Sequence, residues 1–227
     1  MKLNKKQKRT ATIASMAALL AVVLGMGGQT FAKYVTTTET KADTAVVAKW
    51  GFVLKQKGSD TLFKKSYGDA TALSSTTSAI VAPGTSGSIE YHVTGLAEVD
   101  ATITFTLTNY APVFLSDGTA TYYPITWKVN GEAFAIDNEA PFTAQVMKAY
   151  DYTAGTELSV DSDAGKILIE WEWKINNATS NLTYTVDEAD TLLGEYANGK
   201  ALPTGYTANT TLDFAFNATI EQKNTTN

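Results

Sequence analysis

The chain has 227 residues, 18 of them basic and 23 acidic, with a single histidine and no cysteine. That length suffices for a domain with a sizeable core. The lack of cysteine excludes disulfide staples and thiolate metal sites, and the net charge of −5 disfavours nucleic acid and anionic membrane as partners.

Lys2, Lys5, Lys6, Lys8 and Arg9 open the chain without an acidic residue, and an apolar run from Ile13 to Met26 follows. Gly27, Gly28, Gln29 and Thr30 break the run ahead of Thr30-Phe31-Ala32. This is the grammar of a secretory signal with cleavage between Ala32 and Lys33. The rival reading, a membrane anchor, requires about 20 apolar residues, more than the run provides. The organisation expected is a signal peptide over 1–32, an N-terminal donor-strand segment over 33–44 and a β-sandwich domain over 45–227. Removing Met1–Ala32 leaves 13 basic against 23 acidic residues, a net charge of −10 over 195 residues.

Lys33, Tyr34, Val35, Thr36, Thr37, Thr38, Glu39 and Thr40 are β-branched, aromatic or polar in loose alternation and read as a strand. After the polar Lys41-Ala42-Asp43, Ala45–Leu54 reads as a second strand with a buried apolar centre. Lys55–Ser78 is polar and glycine-containing, a long loop or irregular hairpin. Pro83-Gly84 marks a turn. Ser88–Thr94 and Ala101–Thr108 alternate strictly, with Ile89, Tyr91 and Val93, then Ile103, Phe105 and Leu107, on the apolar faces. They read as the two arms of an antiparallel hairpin turning over Gly95–Asp100.

Asn130-Gly131, where Ala120–Asn130 meets Glu132–Ile136, is the strongest two-residue hairpin signal in the chain. Pro141–Met147 leans to strand. Lys166–Ile175 turns Ile167, Ile169, Trp171, Trp173 and Ile175 inward as a central core strand. Asp187–Asn198 is the one helical stretch, with acids in its first turn and Gly199 to stop it. Leu202–Ala208 is a loop and Thr210–Gln222 a long final strand. About eight to ten strands at regular spacing predict an all-β, jelly-roll-like antiparallel sandwich with one short helix.

The chemistry is sparse. His92 lies on the polar face of its strand and reads as a surface residue, with no partner for a zinc site or triad. Asp187-Glu188-Ala189-Asp190 spells a helicase tetrapeptide but lacks a phosphate loop. Asp161–Gly165 has some character of a calcium loop without its downstream acid, and reads as a turn. Glu170 and Glu172 alternate with two tryptophans, as carboxylate pairs do in glycosidases, yet read as structural. Leu202-Pro203-Thr204-Gly205 is one residue short of a sortase signal. The Asn-x-Thr sequons at Asn177, Asn181, Asn209, Asn217 and Asn224 read as Thr/Asn-rich β surface. No catalytic residue, metal or cofactor is expected.

Four features together resemble the TasA/camelysin family of secreted bacterial proteins, whose best-known members form biofilm matrix fibres. They are Gly27–Ala32 before an aromatic-led mature start, and Ala45–Leu54 after Lys41–Asp43. The other two are Ala82–Ser88 before the Ile89–Asn109 alternation, and the terminal Leu212–Gln222 strand. The resemblance implies export by a dedicated signal peptidase, a jelly-roll fold, and head-to-tail homopolymers outside a Gram-positive cell, in the matrix or on the surface. In them Lys33–Thr40 of one subunit inserts into the next. Some relatives are described as metallopeptidases, an activity for which this chain has no His-Glu-x-x-His. Physics makes strand donation plausible without the family, since a free strand can pair with an open sheet edge and a non-closing contact builds a filament.

Signal peptidase is the expected partner during export, and no membrane partner is expected after cleavage. Whether an accessory matrix protein takes part is open. The rival class is a monomeric adhesin or carbohydrate-binding module using Tyr122, Tyr123, Tyr150 and Tyr152. A third class, a secreted hydrolase, has no site to rest on.

Overall fold

A computed structural model describes residues 48–67, 79–138, 141–175 and 180–223. Among these are eleven strands and one helix, α1 (Val186–Ala197). β1 (Trp50–Lys57), β2 (Ser86–Ala97), β9 (Lys166–Trp173), β6 (Ile125–Val129) and β7 (Glu132–Phe134) form a five-stranded antiparallel sheet in that order. β11 (Asp213–Gln222), β3 (Ala101–Ala111) and β8 (Gln145–Tyr152) form a three-stranded antiparallel sheet. A small third sheet joins β10 (Thr207–Asn209), β4 (Phe114–Ser116) and β5 (Thr121–Tyr122). The fold is all-β, a sandwich with one short helix.

Period-two alternation explains both layers. In β9 the odd positions Ile167, Ile169, Trp171 and Trp173 are buried, and the even ones stay half-exposed. In β3, Ile103, Phe105 and Leu107 are fully buried against the opposite layer. Aromatic contacts join the layers: Phe216 meets Tyr91 at 5.2 Å, and Phe214 stacks on Trp127 at 4.5 Å and 15°. The Trp127 indole donates to Tyr110 Oη at 3.2 Å, so its one polar atom is satisfied inside the core.

Several expected elements differ. Ser88–Thr94 and Ala101–Thr108 are strands but not a hairpin: β2 pairs with β1 and β9, and β3 with β8 and β11. The chain changes sheets over Glu98–Asp100, so the two apolar faces confront each other across the core. One-faced alternation is common to a hairpin arm and a sandwich strand, so it does not choose between them. β1 starts at Trp50 and is exposed where a buried centre was expected. Ile175 lies past the end of β9 and is 54% exposed. Within Leu202–Ala208, expected as loop, Thr207 opens β10.

The expected hairpin at Asn130-Gly131 is present. Both residues have positive φ, 52° and 82°, and Trp127–Val129 pair with Glu132–Phe134, the requirement of the tightest two-residue turn. Helix α1 begins on a capping box, with Thr185 and Glu188 each bonding the other's backbone N–H. Val186, Ala189 and Leu193 form its buried stripe.

Candidate assembly surface

The segment expected to act as donor, Lys33–Thr40, and the cleavage site Ala32–Lys33 lie outside the described residues. What is described is the surface that could receive a strand. β1 has a neighbour on one side only, β2, and β11 has one neighbour, β3. Among the described residues, each therefore presents an open edge of main-chain donors and acceptors.

β1 is unusually apolar for such an edge. Phe52 packs edge-on against Tyr152 with centroids 5.0 Å apart, and Trp50 packs edge-on against Phe52 at 5.4 Å. Trp50 and Leu54 are each 38% exposed and Val53 is 58% exposed. Lys55 and Lys57 are the only charges on the strand, the kind of residue that blunts an edge.

On the inner face of the five-stranded sheet, the opposing layer is met along β2 in a definite order. Tyr152 of β8 bonds Ala97 through its hydroxyl, Phe216 of β11 meets Tyr91, and the segment 62–67 covers Gly87. That segment is irregular. The Trp171 indole donates to Leu62 O at 2.7 Å, and the Phe63 ring touches both Trp171 at 5.6 Å and Trp127 at 6.4 Å. The Tyr67 hydroxyl donates to Ile80 O and accepts Lys64 N–H. A Cβ at Gly87 would stand 2.3 Å from Leu62 O and 2.5 Å from Trp171 Nε1, so only glycine admits this close approach. Of the two expectations for Lys55–Ser78, a long loop or an irregular hairpin, the antiparallel Lys64–Ile80 bridge favours the second. Leu62, Phe63 and Tyr67 within it, and a glycine inside a strand, were the available signals.

The chemistry-bearing residues do not converge. His92, expected at the surface, is 1% exposed. It does lie on the polar face of β2, but β2 is an inner strand, and Lys55 and Lys166 stand directly across from it on either side. Its Nε2 bonds Glu90 Oε1 at 2.6 Å, and Nδ1 has no partner among the described residues. Glu90 also faces Lys57 at 3.4 Å and Lys166 at 3.9 Å, and Lys57 reaches Asp161 at 3.8 Å. The His92 bond, with the charges of Lys166 and Lys57, holds the Glu90 carboxyl below its ordinary range.

Glu170 and Glu172 point away from the core into a shallow groove of about 510 Å³, with Ser86, Ser88, Thr126 and Lys128. The side chains of Trp171 and Trp173 are buried on the inner face of the sheet, though Trp171, with Gly87 and Lys64, also borders the groove. Among the described residues no cluster of three or more His, Asp or Glu is arranged to hold a metal ion. Asp161–Gly165 forms part of the turn before β9.

Asp187 and Glu188 occupy the first turn of α1, as expected of helix acids. Asp190 does something the sequence did not announce. Its Oδ1 accepts from Tyr122 Oη at 2.9 Å and Trp173 Nε1 at 3.1 Å, tying the helix to β5 and β9. Burial pushes this carboxyl up despite both bonds, and pushes the Tyr122 hydroxyl up with it. Of the four tyrosines available to an adhesin, Tyr122 and Tyr152 are buried and Tyr150 is half-buried; Tyr123 is 37% exposed.

No family model matches the chain, and no match was found among curated proteins or solved structures.

Proposed function

We propose that this chain is a secreted structural subunit of extracellular matrix fibres, polymerising head to tail by insertion of Lys33–Thr40 as a strand into the next subunit. The observation that carries this reading is the mismatch of the layers: five strands face three, and open edges remain at β1 and β11. A strand from another copy gains main-chain hydrogen bonds at such an edge and apolar contacts beneath it. The contact is head-to-tail, so it propagates unless its rotation closes a ring.

Supporting this reading further, the chemistry-bearing side chains are scattered among the described residues, and the groove beside Glu170 and Glu172 is lined mainly by polar side chains. The test is imaging of concentrated protein by negative-stain electron microscopy, with and without residues 33–40. Filaments with a regular repeat that vanish on truncation, from a subunit that stays folded, are the expected result. Filaments from the truncated chain would sink the strand-donation reading, and a persistent monomer would favour the adhesin class.

A further inference from the structure

Along β2 the segment 62–67 follows β11, lying over Gly87 where Phe216 of β11 meets Tyr91, yet it is not a strand. Lys64 bridges Ile80 and Ser66 is also bridge-paired, while β11 pairs with β3 alone among the named strands. Among the described residues, its grip on the sheet below includes one indole-to-carbonyl bond, the ring contacts of Phe63 and Tyr67, and the half-buried packing of Leu62 against the core. None of its six residues is buried. The surface beneath differs in kind, since Trp171 is 2% and Trp127 5% exposed with this cover in place. At Gly87 the floor is bare main chain. A slot with aromatic walls, such a floor and an open strand edge beside it suits an extended backbone.

Simple opening is disfavoured. It would uncover two indoles and leave the Trp171 N–H without an acceptor. Exchange is another matter: an incoming strand brings a carbonyl for that N–H, apolar side chains for the walls, and a full run of ladder bonds for the edge of β11.

We propose that 62–67 is a displaceable strap that closes this site in the free subunit, and that Lys33–Thr40 of a second copy replaces it on assembly. The inference rests on the polymer reading above and adds where the strand enters and what it must remove. Tyr34 and Val35 supply the apolar contacts in the incoming segment, and the strap leaves the slot on the side of Lys57.

The test is hydrogen exchange, read by mass spectrometry on purified protein before and after assembly. In fibres, amides of 62–67 should exchange about tenfold faster, and those of β11 about tenfold slower, than in the free subunit. Fibres in which 62–67 keep their protection, or in which new protection falls on β1 and not β11, overturn the strap and leave the polymer reading standing. Failure to form fibres at all overturns the polymer reading and the strap with it. Phe63→Ala removes the ring that touches both tryptophans and keeps the Leu62 carbonyl. It should shorten the assembly lag about threefold or more, the equivalent of one lost ring contact. An unchanged lag in a folded Phe63→Ala subunit also overturns the strap.

Discussion

Asn130 and Tyr150 join the two layers through their side chains: Asn130 Nδ2–H donates to Tyr150 Oη at 2.9 Å, and that hydroxyl donates to Lys166 O at 2.5 Å. Asn130 Oδ1 accepts Leu168 N–H at 2.7 Å. One turn residue thus serves its own hairpin, the neighbouring strand β9 and the facing strand β8.

Replacing it separates two contributions. Asn130→Ala loses both side-chain bonds and places a Cβ-bearing residue without local hydrogen bonding at φ 52°, for a total loss of about 3 kcal/mol. Asn130→Gly loses the same bonds without the backbone strain and should cost about 2 kcal/mol. Urea denaturation of both variants is the measurement; equal losses would show that the left-handed turn contributes nothing.

Gly95, opposite Phe52, and Gly51, opposite Leu96, lie near one end of the β1–β2 pair, and they should respond very differently. Gly95 has φ 129°, and a Cβ there would stand 1.9 Å from Gly51 O, a main-chain atom that cannot swing aside. Gly95→Ala should therefore detach this end of β1 and cost about 3 kcal/mol or more. A Cβ at Gly51 would meet nothing within 4 Å, so Gly51→Ala should stay within about 0.5 kcal/mol. Amide exchange along Trp50–Val53 would register the difference.

Asp190 carries a pH dependence of definite sign. Its folded carboxyl is raised by burial above the ordinary value of 3.8. The resulting stability is full below that value and is lost as pH rises through the folded pKa. Asp190→Asn keeps a carbonyl acceptor for Tyr122 and Trp173 and removes the titration. The stability of the native protein relative to this variant should fall from acid towards neutral pH. Asp190→Ala, which strands two donors, should be about 2 kcal/mol less stable than Asp190→Asn at any pH. A relative stability that rises with pH would contradict the burial argument.

Glu90 has the opposite sign. Its carboxyl is held low, first by the His92 bond and then by the lysines. Its contribution is present above the ordinary glutamate range and is lost as pH falls through the folded pKa. Glu90→Gln should remove this acid sensitivity at a cost of about 1 kcal/mol or less, because the side chain is partly exposed. Faster exchange of β1 amides at neutral pH in Glu90→Gln would show that the network also holds the edge strand.

Local pattern carried a good deal of this. The alternation in Ala101–Thr108 and Lys166–Trp173, the Asn130-Gly131 turn and the helix from the Asp187 region are properties of neighbouring residues, and each is found where its pattern lies. The inward set ended two residues early, at Trp173, since periodicity does not mark where pairing stops. The candidate surface was less legible. Which edges stay open depends on how many strands each layer holds, and no stretch of sequence records that count.

Composition and periodicity thus determined an all-β chain, its strand faces and its tightest turn, because those depend on side-chain chemistry and short-range sterics. Tertiary structure alone decided that β2 and β3 belong to opposite sheets, that His92 is buried, and that Asp190 anchors a helix. It also placed 62–67 over Gly87 and Trp171. Each depends on contacts between residues distant in sequence, where the same alternating strand can satisfy its hydrogen bonds with any of several partners and only the packing of the whole core selects one.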